Sequence, residues 1–397
     1  MLLPLIVGQY QSAYAAGLVV AAFYFAQLFA PLIGQITDRF QMHRFVYLAG
    51  YVLIGFGALL FPFVSTTFLW MLMAFLIGLG IAATNTVSGM YIVEFHDKSQ
   101  WDARMGFLQT TYGTGQFVGL LLAVALVFSP ASGMVICAVL MIPGVYFGIK
   151  GLPKIQNRST VSKPILAGYY RHHTRALASL LTYWQRFKFS SFKKLASPRA
   201  YPFVFHIIGW FMIMMGNWLI YNLYPLFMLH VYDVHASLSS LYYGIGAGIG
   251  ILAYPLAGTV AKKVGEMHVL LTGSFMCLVS LLGLTLLALM SQTGVVVLLV
   301  PIFFILLPIA WSPLIVIGLA ISPKLTDMAQ GESLGLLNGA TALASLISAF
   351  VAGVIASSIG YFWIVVLALI FTIGGIFIQM KLYFGMKTKL AKIRAEK

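Results

Sequence analysis

The chain alternates long apolar runs with short polar connections along its whole length. The runs are about 20 residues long, the length that an α-helix needs to cross the hydrocarbon core of a membrane. They predict eleven complete spans, at residues 15–36, 45–64, 67–93, 104–128, 132–149, 201–228, 238–260, 268–290, 294–320, 333–356 and 360–384. The alternating ten-residue segments of a membrane β-barrel are absent from the sequence. The pattern therefore predicts an all-α polytopic membrane protein.

Composition supports this class of protein. Of the 397 residues, 61% are hydrophobic and 8% are charged, whereas a soluble domain carries roughly 25% charged residues. The net charge of +15 does not indicate nucleic acid as a partner, because basic residues accumulate on the cytoplasmic side of membrane proteins. The partner that this charge predicts is a lipid bilayer with an anionic inner leaflet.

The basic residues occur in alternate loops, and their distribution predicts the orientation of the chain. Arg39 and Arg44 follow the first complete span, and Lys98 follows the third. Further lysines and arginines lie between Lys150 and Arg199, at Lys262, Lys263 and Lys324, and in the tail from Lys381. The alternate connections contain neither lysine nor arginine; they read FPFVSTT, SPAS, LHVYDVHAS, SQTG and SSIG. By the positive-inside rule, the C-terminus is cytoplasmic and residues 9–14 face outside. The expected location is the plasma (inner) membrane.

An internal repeat divides the chain into two halves. The motif LLPLIV…APLIGQ returns as LYPLFM…YPLAGT, which pairs Pro4 with Pro225, Pro31 with Pro255 and Gly34 with Gly258. Two halves of six helices in the same orientation are typical of a duplicated secondary transporter. The predicted organisation is an N-terminal bundle at 1–150, a basic cytoplasmic linker at 151–200, a C-terminal bundle at 201–386 and a basic cytoplasmic tail at 387–397.

Two further predictions concern the start of the N-terminal bundle and the linker. Pro225 is preceded by a whole helix that starts near Tyr201, whereas Pro4 is preceded by three residues. We therefore expect MLLPLIV to be the outer end of a first helix of which about 20 residues lie outside this sequence; the alternative is a protein of eleven helices. In the linker, apolar residues at 177–187 recur at helical spacing, which fits either a helix on the membrane surface or an irregular solvated segment.

The segment GQITDRFQMHR follows the first complete span and resembles the signature of the major facilitator superfamily. That signature is a glycine, three residues, Asp-Arg, then a second glycine and paired basic residues. The matching positions are Gly34, Asp38, Arg39 and Arg44. Gln41 replaces the second glycine, His43 stands in one basic position, and the second-half copy has Lys262 in place of the acid. Through the 6+6 repeat the resemblance covers essentially the whole chain.

The resemblance implies two six-helix bundles that rock about a central solute site by alternating access. It also implies that the signature loop holds the halves together when the cytoplasmic side is closed. Asp38 would accept from amides at the helix start near residues 331–333, and Glu94 would pair with the arginines. Gly34 would let two helices approach closely. Ordinary solvated loop charges are the alternative interpretation.

None of the nine acidic residues lies in the middle of a predicted span. A membrane-embedded carboxylate is the usual proton carrier of pumps and antiporters. Coupling to protons would therefore need an acid on the missing part of the first helix, and an uncoupled facilitator is the alternative. Drug antiporters of the family tend to have an arginine in the fourth helix and a Gly-Pro pair in the fifth. This chain has Ala74 and Gly119-Leu120 at these places and so departs from that pattern. His206 lies well inside a span, where it either titrates or packs through hydrogen bonds.

The candidate solute-binding residues also follow from the resemblance, which places the first, fourth, seventh and tenth helices around the cavity and the second, fifth, eighth and eleventh beside them. The neutral polar and aromatic side chains on these helices are Tyr24, Gln27, Asn85, Gln109, Tyr112, Gln116, Asn217, Tyr221, Asn222, Tyr242, Tyr243, Trp311 and Asn338. Spacings of three and four put Gln109, Tyr112 and Gln116 on one helix face. A buried amide is costly unless it is paired, so each candidate is expected to line either water or a helix contact.

Three other features predict no chemistry. GIGAGIG at 244–250 looks like a phosphate-binding loop, but it lies in a span with no preceding strand, so close helix packing explains it. Cys137 and Cys277 lie far apart inside apolar runs, and neither a disulfide nor a metal site is expected. No HExxH, GxSxG or Walker pattern occurs in the sequence. We therefore predict neither an enzyme nor a cofactor.

Together these observations predict a monomeric secondary transporter for a small, largely neutral or amphipathic organic solute. The apolar and aromatic character of the expected cavity favours export over uptake. The alternatives are an uncoupled facilitator or uptake permease for a neutral solute and, from another class, a non-transporting receptor or scaffold with the same fold.

Overall fold

The computed structural model describes residues 2–40, 42–95, 98–126, 129–152, 200–290, 294–326 and 330–395. These ranges are largely helical, and no strand occurs in them. The α-helices are α1 (Leu2–Tyr10), α2 (Ala13–Gln27), α3 (Ala30–Phe40), α4 (His43–Leu60), α5 (Thr67–Phe95), α6 (Lys98–Leu126), α7 (Pro130–Gly151), α8 (Tyr201–Tyr232), α9 (Ala236–Val264), α10 (Glu266–Ala288), α11 (Gly294–Ile321), α12 (Gln330–Ser358) and α13 (Phe362–Ala395). Short 3₁₀ turns at Phe61–Phe63 and Ser322–Leu325 follow α4 and α11. The predicted surface helix of the linker, at 177–187, lies outside the described residues.

The helical fold follows from the apolar composition, because every backbone N–H and C=O inside hydrocarbon must find its partner within the chain. Ten spans of the described residues are long and apolar enough to cross a membrane. The predicted all-α polytopic protein is therefore confirmed. Helix α6 occupies the predicted span 104–128 but is not one of the ten. Its segment from Gln109 to Gln116 is rich in polar side chains, which lower its mean hydropathy.

Prolines interrupt two of the predicted spans. The first complete span consists of two helices, α2 and α3, because Pro31 has no N–H with which to continue the hydrogen-bond ladder of α2. The amides of Leu28 and Phe29 bond to carbonyl groups three residues back, which ends α2 in a tighter turn. In α8, Leu223 leaves helical backbone angles two residues before Pro225. Both of these spans are therefore bent rather than straight.

The helices pack into two groups, which we call the N-terminal half (α1–α7) and the C-terminal half (α8–α13). In the N-terminal half, α4 packs on α5 and α7, and α2 packs on α5. In the C-terminal half, α8 packs on α12 and α13, and α10 packs on α11. This grouping agrees with the internal repeat, while the domain boundaries stay predictions.

The two halves meet where α2 packs on α12, α6 on α9, and α1 on α8. A Cβ atom added to Gly17 of α2 would lie 2.6 Å from the Cα atom of Gly353 of α12. Glycine therefore permits direct backbone contact between the halves at this point. Arg44, Lys150 and Lys324 lie at one end of the bundle, which we call the basic end. The contact between Gly17 and Gly353 lies at the other end, which we call the opposite end.

The glycines of GIGAGIG lie in α9 and face two different helices. Gly246 faces α11, where an added Cβ would lie 2.3 Å from Cγ of Pro308. Gly248 faces α6, where an added Cβ would lie 3.0 Å from Cε2 of Phe117. Close helix packing therefore accounts for this motif, as the sequence predicts.

Buried hydrogen bonds attach the inner part of α8 to three other helices. His206 is fully buried, with its Nε2 3.4 Å from the Gly318 carbonyl oxygen of α11 and its Nδ1 3.2 Å from the Gln379 side-chain nitrogen of α13. One turn further along, the Trp210 indole N–H donates to the Thr341 hydroxyl of α12 at 2.8 Å. His206 is therefore a packing histidine, which is one of the two interpretations that the sequence allows.

Candidate solute-binding site

A cavity of about 150 Å³ lies between the two halves, near the middle of the helices that form it. Its lining residues are Gly113 and Gln116 of α6, Trp218 and Tyr221 of α8, Tyr243, Ala247 and Tyr254 of α9, and Pro308, Trp311 and Ser312 of α11. None of these ten side chains is an acid, a lysine, an arginine or a histidine. A charged solute held away from water needs an opposite charge beside it, so this lining suits a neutral solute.

Helix α8 presents two of the cavity residues on one face, because Trp218 and Tyr221 are three positions apart. The kink at Leu223 lies two residues beyond Tyr221. Pro225 has no N–H, so the Tyr221 carbonyl loses the partner that a continuous helix would supply. The bend of α8 is therefore located at the cavity.

The rings of the cavity wall contact one another. The Trp218 and Trp311 rings meet edge to face, with centroids 5.7 Å apart and 78° between their planes. The Tyr221 and Tyr243 rings stack at 5.2 Å with 19° between planes. Both arrangements are favourable for aromatic rings, and the wall can offer further ring faces to a ligand. A planar solute is the shape that such a wall complements best.

Two polar groups of this wall have no hydrogen-bond partner within the part of the chain that the structure describes. They are the indole N–H of Trp218 and the hydroxyl of Tyr221. Tyr221 is only 8% exposed, so solvent does not replace the missing partner. A buried polar group left unpaired costs about 1–3 kcal/mol. A solute that carries hydrogen-bond acceptors would recover this cost on binding.

The N-terminal half reaches this site through two side chains. The Gln116 side-chain nitrogen of α6 donates to the Tyr243 hydroxyl of α9 at 3.0 Å. The Tyr24 ring of α2 meets the Trp218 ring edge to face, with centroids 5.2 Å apart. Both contacts cross from one half to the other. A solute in the cavity would therefore lie against groups that belong to both halves.

Four of the predicted candidates line the cavity: Gln116, Tyr221, Tyr243 and Trp311. A fifth, Tyr24, adjoins the cavity through its ring contact with Trp218. Sequence reasoning missed Trp218, Tyr254 and Ser312. A signal for Trp218 existed, since it lies three residues before Tyr221 and must share its helix face. The other two adjoin the cavity because α9 and α11 pack closely. The glycines of GIGAGIG predict close packing of α9, but they do not predict which side chains of the two helices reach the cavity.

Two predicted amides make helix contacts and do not line the cavity. The Asn217 side-chain nitrogen donates to the Ile213 carbonyl oxygen at 2.9 Å, and its Oδ1 lies 3.5 Å from the Cys277 thiol. The Asn222 side-chain nitrogen donates to the Ser345 carbonyl oxygen of α12 at 3.2 Å. Both residues thus fill the second role that the sequence allows for a buried amide.

The remaining candidates also lie away from the lining. Exposed residues are Asn85, Gln109, Tyr112 and Asn338. Partly exposed residues are Gln27 and Tyr242. Gln109 and Tyr112 continue the Gln116 face of α6 toward the basic end, so this face leads from that end to the cavity.

The signature loop is described in part. An added Cβ on Gly34 would lie 3.2 Å from Cγ2 of Thr86 of α5, so this glycine permits a close approach, as predicted. The Arg44 guanidinium donates to the Ile149 carbonyl oxygen of α7, within the N-terminal half. The side chains of Asp38, Arg39 and Glu94 lie outside the described residues, and their pairings stay predictions.

Charged groups of the described residues gather at the basic end rather than at the cavity. Lys324 and Glu266 form an ion pair there, between the end of α11 and the start of α10. The described residues contain no group of three or more His, Cys, Asp and Glu side chains that could hold a metal ion. The chemistry available at the cavity is therefore that of rings, hydroxyls, one amide side chain and the indole N–H groups of two tryptophans.

Comparison with known proteins adds the family. A family model described as Major Facilitator Superfamily matches residues 1–326. No curated protein sequence matches the chain. Among solved structures, the fold resembles a crystal structure of a mutant of the nucleoside transporter NupG, with a TM-score of 0.70 and 14% sequence identity, covering 96% of this chain and 93% of that chain.

A second crystal structure of the nucleoside transporter NupG gives a TM-score of 0.67 at 15% identity, covering 95% of this chain and 91% of that chain. At such identities the likeness shows the fold, whereas function depends on the residues of the site. The family match extends over most of the chain and agrees with the duplicated helical fold. This protein therefore belongs to the major facilitator superfamily, whose members are secondary transporters.

Proposed function

We propose that this transporter moves a small, neutral, planar organic solute by alternating access, and that the solute is a nucleoside or a nucleobase. One observation carries the proposal: an aromatic cavity wall presents two unpartnered hydrogen-bond donors, on Trp218 and Tyr221. The fold likeness to a nucleoside transporter adds the substrate class.

A nucleobase matches the cavity in three respects. Its planar ring can lie against the faces of Trp311 and Tyr221. Its carbonyl oxygens and ring nitrogens are acceptors for the Trp218 N–H, the Tyr221 hydroxyl and the Gln116 amide. It carries no charge at neutral pH and needs no ionic partner in the lining.

The described conformation fits one state of a transport cycle. Backbone contact between Gly17 and Gly353 joins the halves at the opposite end, while the α6 face with Gln109 and Tyr112 is exposed toward the basic end. With the predicted cytoplasmic location of the basic end, the proposal identifies this state as closed to the outside and open to the cytoplasm. The preference for export and the coupling to protons stay predictions.

Solute uptake into liposomes containing the purified protein tests the proposal. We expect uptake of radiolabelled uridine, adenosine or a free nucleobase above that of protein-free liposomes, and competition among these solutes. Uptake with and without a pH gradient separates proton coupling from facilitated diffusion. If none of these solutes is taken up while the protein remains folded, the substrate class is wrong.

The Tyr221→Phe variant tests the cavity itself. Loss of one neutral hydrogen bond of about 0.5–1.5 kcal/mol should raise KM by about 2–12-fold. The midpoint of thermal unfolding should not fall, since the hydroxyl has no partner to lose. Tyr47→Phe of α4 is the matched control, because its hydroxyl contacts Tyr51 away from the cavity. Equal KM values for the two variants would contradict the assigned site.

A further inference from the structure

The cavity contains one polar bond that joins the two halves of the transporter. Gln116 of α6 donates to the hydroxyl of Tyr243 of α9 at 3.0 Å, and both residues line the cavity. Two other donors of the wall, on Trp218 and Tyr221, belong to the C-terminal half and have no partner among the described residues. The Ser312 hydroxyl donates to the Gly250 carbonyl oxygen at 2.8 Å, within the C-terminal half. Gln116, in contrast, uses its donor across the seam between the halves.

Close packing surrounds this bond on both sides along the helices. An added Cβ on Gly113 would lie 3.2 Å from Ile251 of α9. One turn beyond Gln116, an added Cβ on Gly244 of α9 would lie 3.5 Å from Leu120 of α6. The two helices thus lie close together on both sides of the bond, so the bond spans the contact between the halves.

The Tyr243 ring is held in place by other rings. It stacks on Tyr221 at 5.2 Å and meets Tyr224 edge to face at 5.2 Å. Tyr243 therefore occupies a stacking position on the Tyr221 ring, next to a hydrogen-bond donor. A ring-shaped solute with an acceptor would need this same combination of a ring face and an amide N–H.

The size of the cavity also indicates that the contacts between the halves must give way. Its volume of about 150 Å³ is below the roughly 300–1,000 Å³ of ligand pockets that hold drug-sized molecules. A nucleoside therefore requires the cavity to widen. Trp218, Tyr221 and Trp311 belong to one half and are packed against each other, so the contacts that can give way are those between the halves.

We infer that the Gln116–Tyr243 hydrogen bond occupies the place of the solute in the empty transporter, and that the bound solute takes over the Gln116 amide and so releases the contact between α6 and α9. This inference rests on the proposed function for the class of solute. A solute can shift the equilibrium between two conformations only through interactions that differ between them. The replacement of Tyr243 by the solute as the partner of Gln116 supplies such a difference. It does so at the contact between α6 and α9, which must open.

Comparison of net transport with exchange tests this role. In the wild type, the empty transporter must break the bond unaided, so solute exchange should be faster than net uptake into empty liposomes. Tyr243→Phe removes the acceptor and should raise the ratio of net uptake to exchange by about 2–12-fold, the factor expected for one neutral hydrogen bond. Tyr242→Phe is the matched control, since it removes the same hydroxyl from the neighbouring residue, which does not line the cavity.

Gln116→Leu removes the same bond from the other side and also removes a proposed solute contact. It should raise the same ratio and, unlike Tyr243→Phe, raise KM. The double variant should change the ratio no more than either single variant, because both break one interaction. Independent, additive changes in the ratio would overturn the inference.

A measurement without solute separates this inference from the substrate class. Spin labels on Phe107→Cys of α6 and Val264→Cys of α9, both exposed positions toward the basic end, report the separation of the halves; Cys137→Ser removes the other exposed thiol. In Tyr243→Phe, the distances between the labels should shift toward shorter values without solute. In the wild type, the same shift should occur only when solute is present. Identical distributions for the variant and the wild type without solute would refute the inference. A shift in the variant, combined with no uptake of any nucleoside or nucleobase, would refute the substrate class alone.

Discussion

The two halves of this transporter share an internal sequence repeat but are held together differently. In the C-terminal half, side chains bond between helices, as in the contacts of Trp210 with Thr341 and of Asn222 with Ser345. Many side-chain bonds described in the N-terminal half stay within one helix, such as that of Thr84 to the Gly80 carbonyl. The most apolar segments of the described spans are 28–61% buried in the C-terminal half and 17–50% buried in the N-terminal half, where α5 is the most buried.

This difference suggests a division of labour between the halves. The C-terminal half supplies eight of the ten cavity-lining residues and holds them through its own core. The N-terminal half contributes Gln116 to the lining and the Tyr24 ring beside it, across a seam of glycine contacts. In the proposed alternating access, one half would rock against the other around the site.

The largest expected effect is on the core of the C-terminal half. A Cβ added to Gly318 would lie 2.1 Å from Cζ3 of Trp210, a fully buried ring that has no room to move. We expect Gly318→Ala to lower the free energy of unfolding by about 3 kcal/mol, since overpacking costs about 1–3 kcal/mol and occasionally more. Thermal unfolding in detergent measures it.

The matched control for this change is Gly258→Ala in the same half, where no atom lies within 4 Å of the added Cβ. It should leave the unfolding midpoint unchanged or raise it slightly. If both variants unfold at the same temperature, the C-terminal half is not the tightly packed frame that the comparison requires.

The next effect concerns the contact between the halves. Gly353→Ala places a methyl group against the backbone of Gly17, which cannot yield as a side chain would. A cost of about 2 kcal/mol would lower the ratio of protein closed to protein open at the opposite end by about 30-fold and slow transport. Spin labels on Phe63→Cys and Ile359→Cys, exposed residues at that end, should move apart.

Gly339→Ala on the same helix is the control, because its added Cβ meets no atom within 4 Å. It should transport at the wild-type rate. In Gly353→Ala the unfolding midpoint should stay close to that of the wild type, which distinguishes a shifted equilibrium from a damaged fold. A large fall in that midpoint would contradict the assignment of the contact to the moving seam.

A smaller effect on stability is expected when polar contacts are removed from each half in turn. His206→Ala removes side-chain contacts with two neighbouring helices and should cost about 1–2 kcal/mol, since interhelical hydrogen bonds in membranes contribute about 0.6–1.7 kcal/mol. Tyr47→Phe in the N-terminal half removes a hydroxyl contact within one helix and should change stability by less than about 0.5 kcal/mol. Unfolding free energies of both variants provide the measurement; equal losses would remove the distinction between the halves.

The smallest effect compares two glycines that the repeat relates. Gly258→Ala should stabilise the protein by about 0.5–1 kcal/mol, because alanine favours the helix and no neighbour obstructs it. Gly34→Ala gains the same helix propensity but meets Thr86 at 3.2 Å, so its net effect should be near zero or destabilising. The difference between the two unfolding midpoints measures how far the signature loop has diverged between the halves.

Much of the fold could be predicted from the sequence, and part of the site. Helical spans, the repeat and the packing role of GIGAGIG follow from apolar lengths and small residues, which act locally. Gln116, Tyr221, Tyr243 and Trp311 were predicted as a set of polar and aromatic residues on suitable helices. Trp218 is absent from the predicted set, although its spacing of three residues from Tyr221 places it on the same helix face.

The sequence by itself determined that this protein is helical, spans a membrane and is built from two related halves. The physical reason is that hydrocarbon forces each apolar run to satisfy its backbone internally, whatever its neighbours are. Only the tertiary structure decided which polar side chains meet the cavity and which meet another helix. Asn217 and Tyr221 lie one turn apart, yet one bonds to its own helix and the other lines the cavity. That outcome depends on the rotation and bend of α8 against its neighbours, which no linear pattern contains.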